Sequence, residues 1–467
     1  GFMLGNLRPK LQQAGRLELL DDVGREATSY FKSVPPGSMT GEELFRRSQA
    51  LYQIGQIRQA EGKLKEAADA YRESLAVAEQ VATRDPSNAE WQLGLATAHF
   101  YVGEILRVQG DSSGAMHEYT AYRDIAQQLS TRDPANERWA LEVSYGSGAV
   151  AAVQELQGDL QGARQQLESA LSIKEALAAK KPDDLERQRA VAVGHNRLGV
   201  VLDKLGEADA ALRHYIDDLN VMQSLAQHRP KDMSIRPRLQ VALNRVGLAY
   251  EERGDLTAAV SYYRSWRDEA ATYAATDARN ADWHRDVAVA TSYLAGALRL
   301  TGDLPLALSG YREAVDVLTP IAQASPTSAP RQRDLAIAEL GFGWTSLDAG
   351  STQNAVGSAG TVERVLARLP TSSGDVDAIR IGAEAKLMLA DAVSRLGDRT
   401  RAKELREAVV EHLAAKVGVS DKRTLAVTAR ALLALKRDAE ARPIVDWLTG
   451  HGYRHPMLLR AMKQRPD

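Results

Sequence analysis

Stepping from Gly254 in strides of 48 residues meets a glycine every time: Gly206, Gly158, Gly110 and Gly62 upstream, Gly302 and Gly350 downstream, then Gly397 after 47. Five residues past each lies an alanine: Ala67, Ala115, Ala163, Ala211, Ala259, Ala307, Ala355 and Ala402. Seven residues before each lies only Gly or Ala: Gly55, Gly103, Ala151, Gly199, Gly247, Ala295, Gly343 and Ala390. The position ahead of that small residue is apolar throughout, at Ile54, Val102, Val150, Leu198, Val246, Leu294, Phe342 and Leu389. Eight imperfect copies agreeing in four columns constrain the chain more than any other feature.

The columns describe a helix hairpin. The central glycine can take the left-handed conformation that ends a helix, a conformation costly for residues with a Cβ. Asp111, Asp159, Asp255, Asp303 and Asp398 follow it, placed to cap the free N–H groups of a second helix. Tyr71, Tyr119, Tyr215, Tyr263 and Tyr311 stand four residues beyond the alanine, one turn along the same helix face. Pro86, Pro134, Pro182, Pro230 and Pro326 recur after the second helix, because proline removes a donor and restricts the residue before it. Each helix is then about 20 residues, ~30 Å long. Such a hairpin cannot bury its apolar face alone, so copies must stack. The expected fold is all-α: a right-handed α-solenoid of about eight hairpins with capping helices at both ends.

These columns resemble the tetratricopeptide repeat. Its small residue, inter-helix turn, alanine and aromatic match Gly247, Gly254, Ala259 and Tyr263, and the match covers roughly residues 41–415. The period departs from the family, whose repeat is usually about 34 residues, whereas these copies recur every 48 with longer helices.

The continuous repeat removes any need for domain breaks in a chain of 467 residues. Three segments are expected: residues 1–37 as an N-terminal helical cap or coupling segment, 38–415 as the repeats, and 416–467 as C-terminal capping helices. Charged residues make up 26% but balance to a net of −2, so no basic excess is available for a phosphate backbone and nucleic acid is not an expected partner. With no cysteine, disulfides, thiolate catalysis and sulfur-ligated metals are excluded, which suits a reducing cytosol. No run approaches the ~18 apolar residues of a membrane span, so direct membrane insertion is not expected. A cytoplasmic location is expected, and a periplasmic one would follow if a span preceded the chain. The start at Gly1 reads as a processing scar, which leaves room for an upstream domain.

Within residues 2–33, Leu4, Leu7 and Leu11 share one helical face, and Leu17, Leu20, Val23 and Ala27 follow Gly15. This lead-in is similar to the segment preceding repeat regions in bacterial multidomain signalling or defence proteins, where an effector domain lies upstream. Pro35, Pro36 and Gly37 separate it from the repeats, and Thr40 with Glu43 forms a capping box for the first repeat helix. Trp91, Trp139 and Trp283 share a column that suits packing between neighbouring copies. The seventh copy is degenerate: Gly341, Gly343, Gly350, Gly357 and Gly360 crowd together, Ala359 replaces the aromatic, and Pro320, Pro326 and Pro330 precede it. It is expected to be the softest copy, by drift or as a hinge, with a linker at Thr371–Gly374 after it.

No catalytic constellation emerges. The stretch Gly55–Lys63 has the wrong spacing for a phosphate loop, and no zinc motif or nucleophile elbow is present. His451 and His455 are four apart, but Gly452 and Pro456 interrupt any helix that would present both to a metal; His99 and His195 fall two copies apart. No catalytic residue, metal or cofactor is therefore expected, and the chain reads as a non-enzyme. If the resemblance holds, the first helices line the concave face. The candidate groove residues there are Tyr101, Glu104 and Arg107 in copy two, Asn196, Arg197, Asn244 and Arg245 in copies four and five, and Tyr293 and Arg299 in copy six. Phe100 and Tyr145 accompany them. The recurring Asn-Arg pair suits a peptide backbone and a carboxylate, or else serves only to face acids such as Asp203 and Glu251.

The expected function is a non-catalytic protein- or peptide-binding scaffold or sensor module, its ligand held in the concave groove. Two alternatives stand beside it: a ligand-gated receptor region controlling an upstream effector domain absent from this chain, and a homo-oligomerisation platform.

Overall fold

The computed structural model describes residues 39–230, 232–369, 375–414 and 422–463. The expected hairpin over residues 2–33 and the Thr371–Gly374 linker lie outside these. Nineteen helices and no strand occur among the described residues. The chain divides into two compact units, Gly1–Gly194 and His195–Asp467.

In the first unit, α1 (Gly41–Ala60) pairs with α2 (Leu64–Arg84), α3 (Ala89–Val108) with α4 (Ser112–Arg132), and α5 (Glu137–Gln157) with α6 (Leu160–Lys180). The division falls within α7 (Leu185–Lys204), whose hairpin partner is α8 (Ala208–His228). The second unit continues with α9 (Arg236–Glu252) and α10 (Leu256–Ala274), α11 (Ala281–Thr301) and α12 (Leu304–Ala324), and α13 (Ala329–Asp348) and α14 (Thr352–Leu366). Next come α15 (Val376–Arg395) and α16 (Arg399–Ala414). Three shorter helices end it: α17 (Lys422–Ala434), α18 (Asp438–Gly450) and α19 (Pro456–Lys463).

Local chemistry accounts for these boundaries. All eight column glycines have positive φ, from 77° at Gly62 to 97° at Gly302 and Gly397. The aspartates act as N-caps: Asp111 Oδ1 accepts from Gly114 N at 2.8 Å, Asp159 from Gly162 at 2.9 Å and Asp255 from Ala258 at 3.1 Å. Thr40 and Glu43 make the reciprocal capping box. Pro320 lies inside α12 without stopping it.

Where the small column holds Gly55, Gly103, Gly199 or Gly247, a tyrosine ring lies on it. A Cβ added at Gly103, Gly199 or Gly247 would come within 2.7, 2.6 and 2.7 Å of the rings of Tyr119, Tyr215 and Tyr263. Those tyrosines are 2%, 5% and 0% exposed, so each of these three hairpins closes around a buried ring. In hairpin seven Gly341 lies under the Tyr311 ring of the preceding hairpin, and Gly343 faces Met388 and Ser358. These two glycines are thus sites of close packing, whereas Gly357 and Gly360 face open space. The tryptophans also pack: Trp91 covers Gly41, Trp139 clusters with Leu93 and Leu129, and Trp283 meets Tyr273. First helices touch their successors directly, as α1 does α3 in one unit and α11 does α13 in the other. The first-helix row is therefore the tighter, inner side of each unit.

Candidate functional site

In the first unit the inner row carries a chain of rings. Tyr101 stacks on Tyr52 and Tyr71 with centroids 5.1 and 5.3 Å apart, and Phe100 meets Tyr101 and Tyr122 edge-on. Gln56 donates to the Tyr101 hydroxyl. Glu104 accepts from Arg107 at 2.6 Å and from the Tyr119 hydroxyl at 2.7 Å. Burial pushes the Glu104 carboxyl up, but these hydrogen bonds outweigh it and hold it below the usual carboxylate range. Tyr145 is 45% exposed, the most open aromatic of the row, with the Lys174 ammonium 5.9 Å from its ring.

In the second unit the inner row is already occupied by the chain's own C-terminal segment. The C-terminal ends of α7, α9 and α11 present free carbonyls and the negative end of the helix dipole. Asp203, Glu251 and Glu252 add carboxylates there. Lys422 Nζ lies 2.7 Å from Asp203, Arg423 Nε 2.8 Å from Glu252, and His455 Nε2 3.1 Å from Glu251. The Arg454 amide donates to the Glu252 carbonyl at 2.7 Å, and Arg460 reaches the Leu300 carbonyl at 3.5 Å. Burial raises Glu251, but His455, the Tyr263 hydroxyl and Arg423 together leave it below the ordinary carboxylate range. Burial likewise opposes the Arg423 charge, and Glu252 more than restores it. The segment α17–α19 is thus more than a terminal cap: it packs on α15 and α16 and also reaches back to α7, α9 and α11.

Beneath it remains a cavity of about 190 Å³, lined by Glu251, Tyr293, Arg299, Trp344, Arg430 and Tyr453 among others. Arg299 is spent on internal contacts: Asp348 at 2.9 Å, the Trp344 ring at 5.9 Å and Met457 Sδ at 3.3 Å. The Asn-Arg pairs divide. Asn196 is buried against Asp218 of α8, whereas Asn244, Arg197 and Arg245 are half-buried. Burial lifts Asp218 to about 6, against the pull of Arg238 at 3.4 Å.

Residues 48–81 match the tetratricopeptide repeat family model. That stretch holds the small residue, glycine, alanine and tyrosine whose columns recur through the rest of the chain. Residues 48–81 thus carry one tetratricopeptide repeat. No curated protein sequence matches it. Similar solved structures include the apo form of the quorum sensor NprR from B. thuringiensis, at 13% identity over 84% of this chain and 99% of that one, TM-score 0.47. A Rap protein complexed with Competence and Sporulation Factor is 12% identical over 91% and 100%, TM-score 0.43. BtubC from P. vanneervenii is 16% identical over 65% and 91%, TM-score 0.35. No helix among the described residues is long and apolar enough to cross a membrane.

Two features of the structure escaped sequence reasoning. One is the docking of the C-terminal segment. The other is a side-chain cluster on hairpin four, where His195 Nδ1 lies 2.9 Å from His214 Nδ1 and 4.0 Å from Asp217 Oδ2. The repeat alignment carried a signal for the second: His99 and Glu118 stand in the same two columns of hairpin two, paired at 2.6 Å.

Proposed function

We propose that the chain is a non-catalytic protein- or peptide-binding scaffold whose ligand lies along the inner row of first helices. One observation carries this reading: the inner row of the second unit already holds a polypeptide segment, through helix-end carbonyls, carboxylates and aromatic rings. In the first unit the comparable row offers Tyr101, Glu104, Arg107 and the open Tyr145. A ligand there would stack on the rings and exchange its own carboxylate for Glu104 at Arg107. In the second unit Arg197, Arg245 and Asn244 would border the ligand and Asn196 would orient the wall, while Tyr293 and Arg299 would be reached only where the docked segment is displaced.

Panning a displayed peptide library against the full chain tests this. Enriched peptides should lose about tenfold or more in affinity on Tyr101→Ala or Arg107→Glu. Peptides that bind both variants as well as the parent chain would remove the first-unit row from consideration.

The docked segment favours one further reading, a ligand-gated region in which a binder displaces α19 and its preceding turn. Glu251→Gln with Glu252→Gln removes two carboxylates that hold the segment, so under this reading basic peptides selected on the second unit should change affinity. Unchanged affinity with a loosened segment, read by amide exchange over residues 451–463, would defeat the gated reading while leaving the scaffold reading standing.

A further inference from the structure

The side-chain cluster on hairpin four invites comparison with the same columns elsewhere in the chain. The first-helix and second-helix positions of that contact are Leu51 and Ala70, His99 and Glu118, Ser147 and Gln166, His195 and His214, Leu243 and Tyr262, Thr291 and Gly310, and Glu339 and Ser358. Where both partners are polar and bonded, they are usually complementary: His99 meets a carboxylate at 2.6 Å, and Ser358 donates to Glu339 at 3.0 Å. Hairpin four alone places two imidazoles there, and it alone adds to them a carboxylate three residues on, Asp217. Hairpin two has Ala121 at that third position.

Geometry gives this combination a purpose. His214 and Asp217 sit on one face of α8 at the i, i+3 spacing, and His195 faces them from α7. One ligand atom from each of the three lies within 4.8 Å of the others. Donors bound at 2.0–2.1 Å to a tetrahedral zinc ion stand roughly 3.4 Å apart, between the 2.9 and 4.0 Å seen here. Shifts of roughly half an ångström would bring His195 to that spacing from both His214 and Asp217. Without an ion, the Nδ1–Nδ1 contact needs the two rings in different tautomers; around an ion, both Nδ1 lone pairs point inward. His195 is buried while the Asp217 side chain is 50% exposed, so the cluster has a dry wall and an open entrance. The nearest buried acid, Asp218, is already committed to Arg238 and Asn196.

We propose that His195, His214 and Asp217 bind a divalent cation of the zinc class, with three protein ligands and one position left to water or a ligand atom. Two imidazoles and one carboxylate select borderline transition metals over calcium or magnesium, which take oxygen donors. The ion would tie α7 to α8 and place a positive charge at the surface of the second unit. This departs from the sequence expectation of no metal, which weighed His195 only against the distant His99.

The test is calorimetric titration of the full, untagged, chelator-treated chain with zinc chloride. One ion per chain is expected, and His214→Ala or Asp217→Asn should weaken binding about tenfold or more. Asp217→Asn alters a half-exposed side chain, so it probes the ligand without unfolding the hairpin, which circular dichroism checks. His99→Ala is the internal control and should bind as the parent does. Cobalt in place of zinc should give the visible absorption of a tetrahedral centre, lost in His195→Ala. Absence of binding, or binding indifferent to all three substitutions, would overturn the assignment.

Discussion

Gly254 and Gly62 share a column and a backbone conformation, φ 79° and 77°, but not an environment. Nothing lies within 4 Å of a Cβ added at Gly62, whereas one added at Gly254 would meet the Arg454 carbonyl oxygen at 2.9 Å. Gly62→Ala should therefore cost only the left-handed penalty, about 1 kcal/mol. Gly254→Ala should cost more, and should also speed amide exchange across residues 451–463. Urea denaturation and exchange mass spectrometry separate the two effects, and equal behaviour would mean that Arg454 does not press on the turn. Asp218 gives a pH signature at the same scale. Its folded pKa of about 6 exceeds the ~3.9 of an unfolded aspartate. Between those values the folded state holds the extra proton, so stability falls as pH rises through that window, and the cost is complete above it. Asp218→Asn lacks this titration. Its urea midpoint relative to the parent should rise between about pH 5 and about pH 7.5.

At the scale of elements, helix boundaries were legible because their causes lie within five residues of one another. Left-handed glycine, aspartate cap and proline stop are local devices, and each appears where the columns put it. Hairpin seven tests the same logic from the other side. Ser351 stands where its neighbours have aspartate, and its side chain makes no cap bond. Ser351→Asp should reach the free N–H groups of α14 and stabilise the chain by roughly 0.5–1 kcal/mol, seen as a higher urea midpoint. The glycines of this hairpin were harder to read. Gly341 and Gly343 look like drift in the sequence, yet they make room for Tyr311 of the preceding hairpin and Met388 of the following one. Partners from neighbouring hairpins leave no mark in a helix's own periodicity.

At the scale of the whole molecule, a stack of hairpins is held mainly by neighbours, so its contacts are short in sequence. The C-terminal segment breaks that rule in the second unit, joining residues separated by 158 at Arg299–Met457 and 219 at Asp203–Lys422. Ending the chain after Ala414 should leave the hairpins helical by circular dichroism. It should also raise amide exchange at the C-terminal ends of α9 and α11 and expose apolar surface that binds a hydrophobic dye. If exchange at those helix ends does not change, the docked segment is not what protects them.

The sequence by itself determined the repeat, the helices and their caps, and it put the candidate groove residues on first helices, because those follow from spacing along one helix or across one turn. Only the tertiary structure decided which of those residues remain available. Tyr293 and Arg299 lie beneath the docked segment, Asn196 turns to Asp218, and His195 finds His214 instead of a repeat-related histidine. The physical reason is shared. Such contacts are made by common side chains, Lys, Arg, Glu and His, whose meaning depends on a partner nineteen or 219 residues away, and no period in the chain encodes that distance.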